Sequence, residues 1–170
     1  MIDILNKIKK FGLLEILVFL SAFYVISMLI WTASTRSAVE EKANTVKSNH
    51  KIIVDLINSE INQCDQGDKN STTKWGDQCN GAWSSDKVVK YINLNMKLIN
   101  PYSSTNEIIK LAQDPRLQAE GKAGQSTEMG VVFLSFKKFM SDPGSEWVIG
   151  TCVKSPCVAA GNNELTSVYR

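Results

Sequence analysis

An apolar run near the start of the chain limits what it can fold into more than any other feature. Across residues 13–32 the only charged side chain is Glu15. Twenty helical residues rise by about 30 Å, which is the thickness of the hydrocarbon core of a bilayer. Three lysines precede the run: Lys7, Lys9 and Lys10. Because positively charged residues stay on the cytoplasmic side, the sequence predicts one membrane-crossing helix with its N-terminus inside and residues 33–170 outside.

A cleaved secretory signal is the alternative interpretation of this run. The run is longer than the apolar region of a typical signal peptide. The residues that end it, Trp31-Thr32-Ala33-Ser34-Thr35, only loosely match a small-residue cleavage site. A retained membrane helix is therefore favoured.

The cysteines indicate an oxidising compartment. There are four, all beyond the apolar run: Cys64, Cys79, Cys152 and Cys157. An even number in an exported domain suggests disulfides, with three possible pairings. Local pairing, Cys64 with Cys79 and Cys152 with Cys157, is favoured because each pair brackets a short, turn-rich loop. The spacing is not that of a metal site, and no histidine lies nearby, so no metal is expected.

The helical pattern continues well beyond the membrane, from about Phe11 to Gln63. No proline occurs before Pro101, and no glycine lies between Gly12 and Gly67. After the apolar run, the apolar residues and one histidine follow the spacing of a single buried helical stripe, and charged residues mostly fall off it. The stripe consists of Val39, Ala43, Val46, His50, Ile53, Val54, Ile57 and Ile61.

The rest of the chain predicts a small α+β domain. Residues 65–85 are polar and glycine-punctuated and indicate a loop, and Asp86 is placed to cap a helix that ends near Leu98. Residues 106–112 are interpreted as a helical turn or an irregular segment, and residues 119–128 as a loop. Two runs rich in β-branched and aromatic residues, 130–137 and 146–154, predict an antiparallel hairpin around a turn at 141–144, with a third strand within 158–170. The predicted fold is a long N-terminal helix, half membrane-spanning and half amphipathic, packed on a small antiparallel β-sheet.

No pattern of catalytic residues stands out, so neither an enzyme nor a cofactor is predicted. The single histidine, His50, lies on the helical stripe and is interpreted as a structural residue. Three tryptophans, Trp75, Trp83 and Trp147, are interpreted as core residues. Four lysines are candidates for a DNA-binding patch but are interpreted as dispersed, solvated side chains: Lys87, Lys90, Lys97 and Lys110. A net charge of +2 gives no overall bias toward nucleic acid.

The segment Phe11-Gly12-Leu13-Leu14-Glu15 resembles the N-terminal motif of type IV pilins. In that family a short basic leader precedes a phenylalanine, and a glutamate is the fifth residue of the mature chain. The order of a long helix, a polar loop, an antiparallel sheet and a late cysteine-bracketed loop is also similar to a pilin, as is Asn100-Pro101-Tyr102. The resemblance implies a leader at 1–10, a transmembrane or filament-core helix at 11–35 and an extracytoplasmic globular domain at 36–170.

By this resemblance, Glu15 and Phe11 are the assembly residues. The carboxylate of Glu15 is expected to pair with the amine that Phe11 supplies in a neighbouring subunit, because a charge in an apolar core is costly unless it is paired. The alternative is that Glu15 reaches the headgroups at the cytoplasmic face. Leader processing is expected between Lys10 and Phe11, although the family's peptidases require a glycine where Lys10 stands. Either the site is tolerated, or the chain is processed differently, or it remains uncut and Glu15 meets Lys9 or Lys10 of a neighbour.

The resemblance implies a structural subunit of a type IV pilus-like filament that serves adhesion, motility or DNA uptake. The implied partners are other copies of the chain, other pilins, the inner membrane, the prepilin peptidase and the pilus assembly platform, with DNA or surfaces as targets. The chain would be a single-pass inner-membrane protein before assembly and part of an extracellular filament afterwards. Alternatives are a type II secretion pseudopilin and an uncleaved, membrane-anchored periplasmic binding domain.

Overall fold

One uninterrupted helix follows from the long stretch without proline or glycine. In a computed structural model of the chain, which describes residues 12–67, 70–104, 107–122, 128–138 and 145–170, helix α1 spans Leu13–Gln66. Its predicted end at Gln63 is within three residues of the observed end. Phe11, the predicted first residue, lies outside the described residues.

The contacts divide the chain into two units, Met1–Glu40 and Glu41–Arg170. In the first unit the described chain is helical from Leu13 onward, and its side chains from Glu15 to Glu40 are exposed. In the second unit α1 continues to Gln66 and buries most of the predicted stripe, since Ala43, Val46, Ile53, Ile57 and Ile61 are at most 5% exposed. Val39, the first member of the predicted stripe, lies in the first unit and is 45% exposed, so the buried stripe begins at Ala43. The amphipathic half of the helix is therefore confirmed.

Six further elements complete the second unit. They are α2 (Ser85–Asn95), β1 (Ile109–Leu111), α3 (Pro115–Ala119), β2 (Val132–Lys138), β3 (Ser145–Cys152) and β4 (Asn163–Tyr169). The α+β arrangement of a long helix followed by a small sheet is the predicted fold and is consistent with a pilin-like one. Helix α2 matches the prediction apart from its ends: Ser84 is its N-cap, Asp86 lies in its first turn, and it stops three residues before Leu98.

The sheet is mixed, so the prediction of an antiparallel sheet is wrong in one strand. Its order is β1-β2-β3-β4, with the β2–β3 and β3–β4 pairs antiparallel as expected. Strand β1 runs parallel to β2, with Ile109 opposite Val132. Parallel neighbours require a crossover, and the connection after β1 contains α3. Three residues carry too little alternation for a strand prediction, which is why the sequence indicates only a helical turn or an irregular segment over residues 106–112. The predicted turn at 141–144 lies outside the described residues.

The two faces of the sheet are covered by different elements. Side chains that alternate along the strands, such as Leu134, Trp147 and Ile149, form one apolar core with Ile53 and Ile57 of α1. Helix α2 joins that core through two buried residues, Val88 and Ile92. On the other face α3 lies so close to β3 that a Cβ at Gly150 would stand 2.2 Å from the Pro115 carbonyl oxygen. That glycine is what lets α3 cover the sheet.

Candidate functional site

The carboxylate of Glu15 is bonded within its own helix. The backbone N–H of Gly12 donates to Glu15 Oε2 at 3.0 Å. Gly12 precedes the first helical residue, so Glu15 is in the third position of the helix and reaches back to the cap in the manner of a capping box. A negative charge there also lies favourably in the first turn, against the positive end of the helix dipole. The other predicted assembly residue, Phe11, and the predicted processing residue, Lys10, lie outside the described residues.

The helix after Glu15 is apolar and uncovered. Among the described residues it is the one helix long and apolar enough to cross a membrane, and its most apolar window is 0% buried within the chain. The exposed fractions of its large apolar side chains range from 43% at Ile16 to 73% at Trp31. So large an apolar surface is typical of a segment that meets lipid or another protein.

Four serine and threonine hydroxyls in this segment donate hydrogen bonds to backbone carbonyls of their own helix. Ser21 donates to the Val18 carbonyl at 2.9 Å, and Ser27 donates to the Phe23 carbonyl at 2.8 Å. Toward the outer end, Thr32 bonds to the Leu29 carbonyl at 3.0 Å, and Thr35 bonds back to its own helix in the same way. Such bonds let polar side chains enter an apolar medium without an unpaired donor.

His50 joins the other half of α1 to the sheet. Its Nδ1 lies 2.9 Å from the hydroxyl of Thr151 on β3, and its Nε2 lies 2.9 Å from the hydroxyl of Thr166 on β4. Burial lowers the pKa of His50 below 6.5, although the nearby carboxylate of Glu164 acts in the opposite direction. Both ring nitrogens therefore bond to hydroxyl groups of the sheet, which agrees with the predicted structural role.

The end of α1 carries a buried carboxylate that the stripe did not predict. Glu60 is 2% exposed. The backbone N–H of Lys74 donates to its Oε2 at 2.9 Å, and the Lys74 ammonium lies 2.9 Å from its Oε1. The hydrogen bond to Glu60 raises the pKa of Lys74. Glu60 thus ties the helix to the loop that follows it, and residue spacing does not predict this contact because the partner is fourteen residues away.

Each disulfide joins two cysteines that are consecutive among the four in the chain, as predicted. Cys64 at the end of α1 is bonded to Cys79, and Cys152 at the end of β3 is bonded to Cys157. Beside the first bridge, Trp75 and Trp83 pack edge to face with ring centroids 5.1 Å apart, and Trp83 continues to Trp147 at 6.1 Å. All three tryptophans are buried, which confirms the core interpretation.

Arg170 fastens the disulfide loop to the end of β4. Its guanidinium lies 4.2 Å from the centroid of the Trp83 ring and donates to the carbonyls of Cys79 and Gly81. Desolvation lowers the pKa of Arg170. Sequence reasoning missed this contact because the residues it joins are about ninety positions apart.

The segment that resembles a pilin at Asn100-Pro101-Tyr102 is held by amide hydrogen bonds. Asn100 donates to the Met129 carbonyl and accepts from the backbone N–H of Tyr102. Gly130 permits this contact, since a Cβ there would stand 2.2 Å from Asn100 Oδ1. One residue earlier, Asn49 of α1 donates to the Ile99 carbonyl at 2.9 Å. These bonds tie α1 to the chain that leads into the sheet.

The four candidate DNA-binding lysines do not act as one set. Lys87 lies 2.6 Å from the Asp77 carboxylate, and Lys110 pairs with both Glu107 and Glu128. The remaining two, Lys90 and Lys97, are exposed and have no ion pair among the described residues. Two ammonium groups out of four therefore already have their charge partly balanced within the chain.

Within the described ranges, no group of three or more histidine, cysteine, aspartate or glutamate side chains could hold a metal ion. No protein-family model, no curated protein and no solved structure matches this chain. Its function is therefore inferred from its own residues and their geometry.

Proposed function

We propose that this chain is a structural subunit of a type IV pilus-like filament. The observation that carries the proposal is the division of α1, which has an uncovered apolar half after Glu15 and a second half packed on the sheet. The motif from Phe11 to Glu15 and the α+β arrangement support it. A soluble binding domain would not need the apolar half, whereas a filament subunit uses it to pack against identical helices.

In this proposal the chain first spans the inner membrane with its N-terminus inside, and the subunits then leave the membrane together. The apolar surface between Ile16 and Trp31 exchanges lipid for neighbouring helices, so assembly is driven by close packing within the filament core. Globular domains, held to their helices by His50 and Glu60, form the outside. Other pilins, a prepilin peptidase and an assembly platform are the expected partners.

Glu15 sets the axial position of each subunit in this proposal. Its carboxylate accepts the amine that Phe11 supplies in a neighbouring subunit, once a peptidase has cut after Lys10. The bond to the Gly12 N–H uses Oε2 and is compatible with a second partner at the other carboxylate oxygen. An unpaired charge would be costly in the filament core, so only one axial offset is favoured.

The substitution that tests this role is Glu15→Gln, with Glu15→Ala beside it. Glutamine keeps an oxygen that can accept from the Gly12 N–H but loses the charge, whereas alanine loses both. We expect both variants to be exported and folded but at least about tenfold depleted from sheared filaments, as an unpaired buried charge implies. The readouts are the amount, N-terminal sequence and intact mass of the protein in the sheared fraction.

Different outcomes distinguish a helix-capping role of Glu15 from a charge-pairing role in the filament. Normal filaments from Glu15→Gln but not from Glu15→Ala would assign the residue to helix capping and remove the charge pair. A wild-type chain that starts at Phe11 in sheared filaments would support processing despite Lys10. Full-length chain found only in the membrane would contradict the filament.

An uncleaved, membrane-anchored domain is the second candidate, and two observations favour it. Lys10 stands where the family's peptidases require glycine, and Glu15 already has a hydrogen-bond partner within its own helix. In this case both Glu15 variants retain full function, and residues 36–170 alone retain the binding activity. A secretion pseudopilin is a variant of the first proposal and differs in forming a short periplasmic assembly.

A further inference from the structure

Among the described residues between Glu15 and Trp31, Tyr24 is the one residue whose side-chain hydroxyl forms no hydrogen bond with its own helix. Ser21 and Ser27 each donate to a carbonyl one turn earlier. Within the part of the chain that the structure describes, no hydrogen bond joins the Tyr24 phenol to another group, and the side chain is 64% exposed. The phenol hydroxyl is held away from the backbone by the ring, so it cannot bond back to its own helix as serine does.

The position of Tyr24 along the helix makes this unpaired group costly. At 1.5 Å per residue it lies about 14 Å beyond Glu15 and about 18 Å before Arg36, the charged residues that flank the apolar segment. These distances place it near the middle of a bilayer core of about 30 Å. Trp31, five residues before Arg36, lies where aromatic side chains ordinarily meet the headgroups, whereas Tyr24 does not. A hydroxyl in an apolar medium needs a partner, and lipid chains offer none.

A partner is available on the same stripe of an identical helix. Residues spaced alternately three and four apart share one stripe, as in the seam of parallel helices. The stripe that contains Tyr24 consists of Leu17, Leu20, Tyr24, Ser27 and Trp31. The pair between Glu15 and Phe11 of the neighbour displaces that neighbour outward by four residues, about 6 Å, so the neighbour's Tyr24 is level with residue 28 of the first copy. Because helical side chains point toward the N-terminus, its ring then covers Ser27 of the first copy. The Ser27 hydroxyl donates to the Phe23 carbonyl, which leaves its oxygen able to accept.

We infer that the Tyr24 hydroxyl donates to the Ser27 hydroxyl of a second copy, whose helix packs in parallel along this stripe. The inference rests on the proposed function, in which copies inserted in the same direction pack their apolar helices together. The tyrosine–serine pair identifies the helix face through which these copies pack. Leu17, Leu20 and Trp31 supply the apolar contacts of this face, and the tyrosine–serine pair selects which face meets the neighbour.

A double-mutant cycle on the full chain tests the pair. The dissociation constant for self-association is measured by sedimentation equilibrium in density-matched detergent. Tyr24→Phe and Ser27→Ala should each weaken association by about three- to tenfold, as expected for one interhelical hydrogen bond. The double variant should be no weaker than either single variant. Ser21→Ala removes a similar hydroxyl about a quarter-turn away from the stripe, so it should leave association unchanged.

Three outcomes would overturn the inference: unchanged association in Tyr24→Phe, additive effects in the double variant, or a wild-type chain that does not self-associate. The amount of protein in sheared filaments distinguishes failure of this inference from failure of the proposed function. Filaments that form normally from Tyr24→Phe would remove the tyrosine–serine pair and leave the filament in place. A coupled pair in detergent without any filament on cells would leave the helix contact in place and remove the filament.

Discussion

The two halves of α1 have the same backbone and opposite surroundings. From Ile16 to Trp31 the side chains are mostly apolar and exposed on every side, whereas from Ala43 to Ile61 one apolar stripe is buried within the globular unit. A helix that is apolar all round needs an apolar environment, and one with a single stripe needs a single covering surface. The second half has its surface within the chain. The first half has none in the described residues, which is why assembly is proposed there.

Truncation of one isoleucine in each half of α1 should give the largest difference in the free energy of unfolding. Ile57 is 0% exposed and Ile26 is 55% exposed. We expect Ile57→Ala to lower the free energy of unfolding of the globular unit by about 3 kcal/mol, because it removes buried methyl groups and leaves a cavity. Ile26→Ala should leave that free energy unchanged. Urea unfolding of the full chain in detergent, followed by tryptophan fluorescence, measures both, and equal losses would contradict the division.

Acidification should loosen the packed half through His50. Burial lowers the pKa of His50 in the folded chain below its usual 6.5, so the unfolded state takes up a proton that the folded state resists. Stability is therefore unaffected by this group well above pH 6.5 and falls as the pH drops below that value. Thermal unfolding of the full chain in detergent between pH 8 and pH 5 would show the drop. A His50→Gln variant should lack this component, and an unchanged pH profile in that variant would assign the drop to other groups.

Substitution of Glu164 should give the smallest change in the free energy of unfolding, and this change should depend on pH. It forms a 3.5 Å ion pair with Lys47, and both side chains are more than a third exposed, so the pair should contribute at most about 0.5 kcal/mol at neutral pH. Glu164 also opposes the lowering of the His50 pKa. Glu164→Gln should therefore have little effect at pH 7.5 and should extend the acid loss to lower pH. Lys47→Gln is the control for the ion pair, and identical profiles for the two variants would show that Glu164 does not act on His50.

Much of this fold could be predicted because its signals are local. The range of α1, its apolar half and its buried stripe follow from residue spacing over a few turns. Strands β2 and β3 lie in the two runs rich in β-branched and aromatic residues, and β4 lies within the segment where the sequence predicts a third strand. Each disulfide closes a short loop, so proximity along the chain was enough to favour its pairing.

For the candidate site, the sequence indicated Glu15 but neither its hydrogen bond to Gly12 nor the hydroxyl of Tyr24 that is unpaired among the described residues. The capping bond to Gly12 depends on where the helix starts, and a start at Phe11 would have moved it. In the described part of α1, Ser21 and Ser27 bond to their own helix whereas Tyr24 does not, and residue spacing alone does not reveal this difference. Glu60 lies off the apolar stripe, and its burial is explained only by its contacts with Lys74.

The sequence by itself determined which part of the chain is apolar and which helical face is buried, and it favoured one of three cysteine pairings, because those properties depend on residues that are close in the chain. The tertiary structure decided the parallel strand β1, the close approach of α3 at Gly150 and the contact of Arg170 with Trp83. Each of these joins residues that are distant in the chain and carry weak local signals. Their positions are set by what packs beside them, since the free energy of burial and hydrogen bonding is gained only when the distant partner is present.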